Sequence, residues 1–236
     1  MTTILVAYHG DPAIKTKYLA RVEAHRLADE IQQAYGFWKG GKGCAVGCTL
    51  HGEAHKNYEF KLGIPEPIAW LEDSIFEGLP VELARAWPSR FLTAINPGAD
   101  LSQVADRFCF WLLTSPSMRL SEMADPDGKL AIAIVADLYR RRLDGDEPTA
   151  TEWTAAGDAA WIASDDASSN AAHDAVWAAA NAAFRDVPCD AAGAASDAWA
   201  AARAAAWVTM ATRLEDLLAT APAATVDLAD ETEVKP

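Results

Sequence analysis

The stretch from Ala13 to Ala34, AIKTKYLARVEAHRLADEIQQA, contains the repeat that decides the fold class. Its apolar side chains Ile14, Tyr18 and Val22 recur every four positions, which places them on one face of an α-helix. Pro12, just before the stretch, is typical of a first helical turn. The stretch therefore predicts one long amphipathic helix.

Helical patterns continue along the chain between short breaks at proline and glycine. Helices are predicted at residues 44–50, 65–76, 80–86, 87–95, 101–113 and 129–143. The apolar run Thr3–Tyr8 is too short for periodicity to decide between a single strand and a buried entry segment. The prediction is an all-α, mostly helical fold with at most one short N-terminal strand.

The composition changes after residue 148, where a charged segment with glycine and proline marks the best internal boundary. Residues 151–210 contain 25 alanines with five tryptophans spaced among them. This composition favours close-packed helices, with a break at Val187–Pro188. We expect an N-terminal helical domain over residues 1–148, an Ala/Trp-rich helical region over 149–220 and a disordered tail over 221–236.

The chain has 236 residues and a net charge of −14. Residues 151–236 hold 4 basic and 14 acidic residues, so the first 150 residues carry a net charge of only −4 and can still form a local basic pocket. The negative charge disfavours nucleic acid and anionic membrane surfaces as partners. The sequence shows no apolar run of membrane-spanning length and no basic leader, so a cytoplasmic location is expected.

A polar stripe runs along the predicted first helix, because four polar residues follow one another at steps of four: Lys17, Arg21, His25 and Asp29. Lys17 and Arg21 carry the charges that bind phosphate or carboxylate groups. Asp29 is placed to orient the imidazole of His25. The alternative is an ordinary solvated face with i,i+4 ion pairs.

Two cysteines and two histidines lie close together in residues 43–55, GCAVGCTLHGEAH, with the spacing C-x3-C-x2-H-x3-H. If a helix starts at one of the glycines, its dipole lowers the pKa of a nearby thiol and favours the thiolate. Cys44 or Cys48 would then be the nucleophile. His25 would be its base, with Asp29 behind it.

The same residue types are zinc ligands. Four ligands within one short segment would strain the chain, so the metal alternative uses Cys44, Cys48, His55 and the distant His25. In a third interpretation, the cysteines simply fill a small pocket of the core.

The stretch 36–47 holds five glycines. It lacks the G-x4-G-K-[ST] pattern of nucleoside triphosphatases, although its backbone N–H groups together with Lys42 suit a small anionic ligand. The alternative is a tight loop in which glycine supplies positive φ angles.

Three segments, YHGDPAIKTKYLARVEAHRLADE, KGCAVGCTLHGEAH and LGIP, together resemble an uncharacterised family of bacterial and prophage-encoded proteins. The resemblance covers roughly residues 7–113, and the Ala/Trp-rich part is similar to C-terminal extensions found in that family. It implies a phage or prophage setting and no particular activity.

Three functions stay open from the sequence. The first is binding or processing of a small anionic, nucleotide-like ligand in an N-terminal pocket that contains Lys17, Arg21 and Lys42. The second is an acidic interaction protein that occupies a basic surface of a host protein, as nucleic-acid mimics do. The third is a structural zinc site without catalysis. The Ala/Trp-rich helices either pack on the N-terminal domain or form a homo-oligomer, and the sequence does not decide whether the protein is an enzyme.

Overall fold

The computed structural model describes residues 5–35, 38–124, 126–163 and 194–225. Helices dominate these residues, which confirms the predicted all-α class. They are α1 (Pro12–Leu27), α2 (Ala45–Leu50), α3 (Asn57–Leu62), α4 (Glu66–Gly78), α5 (Val81–Ala84), α6 (Trp87–Ala94), α7 (Val104–Thr114), α8 (Leu120–Met123), α9 (Pro126–Leu143), α10 (Ala150–Ala163) and α11 (Ala194–Ala219), preceded by a 3-10 turn at Ala7–Gly10. Within the described ranges the only sheet is an antiparallel hairpin of β1 (Trp38–Lys39) and β2 (Lys42–Gly43).

The chain forms two compact units. The first consists of residues 1–77, 81–102 and 218–236, and the second of residues 78–80 and 103–217. This grouping differs from the division predicted at residue 148, because α9 packs on both α7 and α10 and so joins the two sides of that point.

Helix α1 is the central element of the first unit, where it packs on α2, on α6 and on the 3-10 turn. The side chain of Asp11 caps its N-terminus by accepting a hydrogen bond of 2.8 Å from the backbone N–H of Ala13. Tyr18 and Val22 are buried on one face, as the apolar repeat predicts. The remaining side of α1 carries the polar stripe.

Helix α1 ends at Leu27, before the predicted end of the helical stretch. Asp29 has a φ of 56°, a left-handed conformation that an α-helix cannot contain. Beyond it the backbone pairs with β2, because Gly43 donates to the carbonyl of Glu30 at 3.1 Å and Gln32 donates to the carbonyl of Gly43 at 2.9 Å. The backbone groups of Glu30 and Gln32, which a longer helix would have paired within itself, are therefore paired with β2.

The start of the described chain forms no strand, and Val6 makes only an isolated bridge with Asp100. Tyr8 follows in a left-handed conformation and is fully buried, with its hydroxyl donating to the carbonyl of Leu92 at 2.7 Å. Gly63, directly after α3, lies so close to this turn that a Cβ would overlap the carbonyl oxygen of Val6. The turn and α3 are thus packed backbone against backbone.

The first part of the predicted disordered tail is ordered. Asp100 donates to the carbonyl of Pro222 at 2.8 Å, and Ala224 donates to the carbonyl of Gly98 at 2.8 Å. These bonds add residues 222–224 to the first unit. Residues 226–236 and the predicted break at 187–188 lie outside the described residues.

In the second unit, α7 packs on α8 and α9, and α10 packs on α9. Arg142, near the end of α9, lies 3.3 Å from the carboxylate of Asp106 and 5.8 Å from the ring centre of Trp153. Trp207 of α11 is buried against Gly78, where a Cβ would overlap the indole ring. In the part of the chain that is described, no helix has the length and apolar character needed to cross a bilayer.

Candidate functional site

Two histidines from separate elements meet at the surface of the first unit. His25 lies in the last turn of α1, and His51 is the C-cap residue of α2 with a left-handed φ of 51°. Their Nε2 atoms are 2.7 Å apart, and the two rings meet edge to face. The left-handed cap turns His51 back from α2 toward α1, which is what brings the two rings together.

Glu30 holds the other side of His25. Its Oε2 atom lies 2.6 Å from Nδ1 of His25, so Nδ1–H donates to the carboxylate. In the neutral pair, Nε2 of His25 must then accept a hydrogen bond from Nε2–H of His51. The two histidines and Glu30 therefore form one continuous chain of hydrogen bonds.

The hairpin covers the pair with an indole ring. Trp38 stacks on His51 with ring centres 4.4 Å apart and meets His25 edge-on at 5.1 Å. Gly40 and Gly41 have φ values of 61° and 87°, so they form the tight turn that pairs β2 with β1. This part of the glycine-rich stretch therefore forms a hairpin turn, as expected from the interpretation of the stretch as a tight loop.

Two cationic side chains reach the same end of α2 from neighbouring helices. Arg21 of α1 donates to the carbonyl of Thr49 at 2.9 Å, and Lys61 of α3 donates to the carbonyl of Leu50 at 3.4 Å. Both satisfy carbonyls that a helix leaves unpaired at its C-terminus. Burial lowers the pKa of the adjacent His51, the charges of Arg21, His25 and Lys61 lower it further, and Glu30 opposes them. Burial and the neighbouring cationic groups therefore both disfavour a positive charge on His51.

Lys17, the first member of the predicted stripe, lies one turn before Arg21. Its ammonium group is 5.5 Å from the ring centre of Tyr18, and the guanidinium of Arg21 is 5.0 Å from the same ring. Lys17 and Arg21 therefore both lie over the ring of Tyr18. Lys42 lies half-buried in β2, and no described contact gives it a role in the site.

Asp29 does not stand behind His25. It has left the helix and forms an ion pair of 2.9 Å with Arg85 on the exposed surface. Glu30, the next residue, takes the predicted role instead. The prediction for Asp29 was wrong because it assumed a helix that continues past Leu27.

Both predicted nucleophiles are buried. Cys44 is the N-cap of α2 and accepts from the backbone N–H of Gly47 at 3.5 Å, and Cys48 donates its thiol to the carbonyl of Gly43 at 3.4 Å. Burial raises the pKa of Cys48 to about 12, and burial together with Asp73 raises that of Cys44. These effects favour the neutral thiol, so the geometry supports the core interpretation of both cysteines rather than the nucleophile.

The predicted four-ligand zinc set is not assembled. His55 is buried, with Nε2 at 3.3 Å from Oδ2 of Asp73 and its ring stacked on Trp70. Across the described residues, no group of three or more histidine, cysteine, aspartate or glutamate side chains could hold a metal ion. The ligand set Cys44, Cys48, His25 and His55 is therefore wrong.

The sequence analysis missed Glu30 and gave His51 only a place in the cysteine–histidine spacing. Glu30 is five residues after His25, a separation that does not share a helix face, so the stripe argument passed over it. The backbone pairing of Gly43 with Glu30 and Gln32 holds this segment beside His25, and no spacing rule within one helix could have found it.

A second polar cluster is buried beneath α2 and α3. Glu72 of α4 is completely buried, and its Oε2 accepts from the hydroxyl of Tyr58 at 2.5 Å. Burial raises the pKa of Glu72 well above its ordinary value. Its backbone carbonyl accepts from the indole N–H of Trp87 at 2.9 Å. This cluster ties α3, α4 and α6 together.

No protein-family model, no curated protein and no solved structure matches the chain. The resemblance to a prophage-encoded family stays a prediction.

Proposed function

We propose that the first unit binds a small anionic ligand at the surface formed by Arg21, Lys61 and His51, with Lys17 at its edge. The observation that carries this proposal is the convergence of two cationic side chains from different helices on one end of α2, beside an exposed imidazole. It occurs in a protein whose net charge is −14.

The charge balance at this surface favours an anion. The C-terminus of a helix supplies about half a negative charge and Glu30 supplies one full negative charge, whereas Arg21 and Lys61 supply two full positive charges, so the balance is still positive. An arginine has five N–H donors and a lysine has three, and the described bonds to Thr49 and Leu50 use one from each. The other donors suit the oxygens of a phosphate or carboxylate group.

The alternative of an acidic interaction protein depends on the C-terminal half of the chain. Residues 164–193 and 226–236, which hold nine of the fourteen acidic residues of that half, lie outside the described residues. No described contact favours that alternative over the anion site, and the phage or prophage setting is compatible with both.

The test is titration of the full chain with inorganic phosphate and with adenosine monophosphate, followed by two-dimensional NMR and calorimetry. We expect saturable binding that shifts the signals of Arg21, His51 and Trp38. The double variant Arg21→Gln/Lys61→Gln should bind about a hundredfold more weakly, because each lost charge-assisted hydrogen bond costs about 1.5 kcal/mol. Glutamine can still donate to the carbonyls at the end of α2, which protects the fold.

Arg26→Gln is the matched control, because Arg26 lies on the same helix and pairs on its exposed face with Glu23. It should leave phosphate binding unchanged. Equal binding by the double variant and the control, or shifts that spread over the whole surface and vanish with added sodium chloride, would refute the anion site.

A further inference from the structure

The two imidazoles at the site are arranged as metal ligands as well as hydrogen-bond partners. Their Nε2 atoms point at each other from α1 and from the cap of α2, 2.7 Å apart. Imidazole nitrogen is a preferred ligand of zinc, nickel and copper. We propose that His25 and His51 together bind one divalent ion of the late first-row transition metals.

The distances require only a small adjustment. Two imidazole nitrogens on one tetrahedral zinc ion, each about 2.05 Å from the metal, lie about 3.3 Å apart. The observed separation of 2.7 Å belongs to the hydrogen-bonded pair, whose shared proton the metal replaces. His51 is exposed and caps a six-residue helix, so its ring is the one that moves to admit the ion.

Glu30 supplies the outer support that metal-bound histidines usually have. Its carboxylate binds Nδ1 of His25 at 2.6 Å, which fixes the ring so that the lone pair of Nε2 faces His51. The backbone of Glu30 is held in turn by Gly43, at 3.1 Å. The side chain of His25 is only 13% exposed, so its ring has little freedom to turn away.

The site has two protein ligands. No third histidine, cysteine, aspartate or glutamate completes the set among the residues that the structure describes. The remaining positions fall to water or to an anion. Occupation by the anion rests on the proposed function, and in that case the ligand bridges the metal and the charges of Arg21 and Lys61.

The experiment is calorimetric titration of the full chain with zinc and nickel chloride, in phosphate-free buffer, with magnesium chloride as the comparison. We expect one equivalent of zinc or nickel and no magnesium, because magnesium prefers oxygen ligands. Cobalt(II) should give a visible spectrum without the intense near-ultraviolet band of thiolate coordination, which separates this site from the cysteines.

The variants follow from the geometry. His25→Gln and His51→Asn should abolish the metal binding of the pair, and Glu30→Gln should weaken it 10- to 100-fold. His9→Asn is the matched control, since His9 is also exposed and also has a left-handed φ of 51°. Asparagine tolerates that conformation, so both asparagine variants should stay folded.

If a variant fails to fold, zinc-induced shifts of the imidazole signals of His25 and His51 in the wild-type protein decide the question. Unchanged affinity in His51→Asn, equal loss in His9→Asn, or a thiolate band with cobalt would overturn the metal site. Phosphate binding without metal binding would reject this inference and leave the proposed function standing. Metal binding without phosphate binding would do the reverse.

Discussion

Replacing Gly63 by alanine measures how much the close packing of α3 against the N-terminal turn contributes to the free energy of unfolding. Gly63 has a φ of 63°, and its missing side chain makes room for the carbonyl oxygen of Val6. An added Cβ would overlap that oxygen and would approach the backbone nitrogen of His9 to 3.2 Å. Because both neighbours are backbone atoms, neither can rotate aside.

The expected loss of stability has two parts. A left-handed alanine costs about 1–2 kcal/mol, and displacing packed backbone costs about 1–3 kcal/mol more. The total is a decrease of about 2–5 kcal/mol in the free energy of unfolding. Gly10→Ala is the matched control, because Gly10 has a φ of 74° and no heavy atom within 4 Å of an added Cβ.

Urea unfolding of the two variants, followed by circular dichroism, separates the conformational and the packing contributions to the loss of stability. Gly10→Ala should show the conformational cost alone, and Gly63→Ala should be about 1–3 kcal/mol less stable than that control. If the two variants unfold at the same urea concentration, the close approach of α3 to Val6 contributes nothing, and the reasoning from that contact is wrong.

Two further predictions concern buried groups. Burial raises the pKa of Glu72 above its value in the unfolded chain. The protonated side chain therefore contributes its full stability below about pH 4.5, and this stability is lost as the pH rises toward the folded pKa. The loss is at most about 1.4 kcal/mol per pH unit. Urea unfolding at pH 4 and pH 8 should therefore show Glu72→Gln gaining stability relative to wild type at the higher pH, and a pH-independent difference would contradict this. Because the pKa of Cys48 is raised to about 12, iodoacetamide at neutral pH should label Cys48 slowly in the folded protein and fast in urea, as measured on peptides by mass spectrometry. Rapid labelling of the folded protein would restore Cys48 as a candidate nucleophile.

The sequence was sufficient to predict helices whose ends are marked by local signals. Asp11 and Pro12 start α1, and the region from Trp87 onward forms α6 close to the predicted bounds. These features depend on neighbours in the chain, such as a capping side chain or a proline in the first turn. The polar stripe was predicted from the same local periodicity, and Lys17 and Arg21 both lie over the ring of Tyr18, whereas Asp29 has left the helix.

The partners of His25 could not be predicted in this way. The end of α1 depends on pairing with β2, which lies more than a dozen residues further along the chain. That pairing decides that Glu30, and not Asp29, faces the imidazole. The approach of His51 depends in turn on a left-handed cap at a residue that is not glycine, a conformation with little signal in a sequence.

The hydrogen bonds between residues 98–100 and residues 222–224 determine when the first unit can be completed during synthesis. These two stretches belong to the same unit, although residues 103–217 stand between them. A ribosome that has released α1 to α6 must still produce all of α7 to α10 and the body of α11 before the last backbone partners of Gly98 and Asp100 exist. The first unit therefore begins to form first and is completed last. During translation, the backbone groups of residues 98–100 lack their partners in residues 222–224.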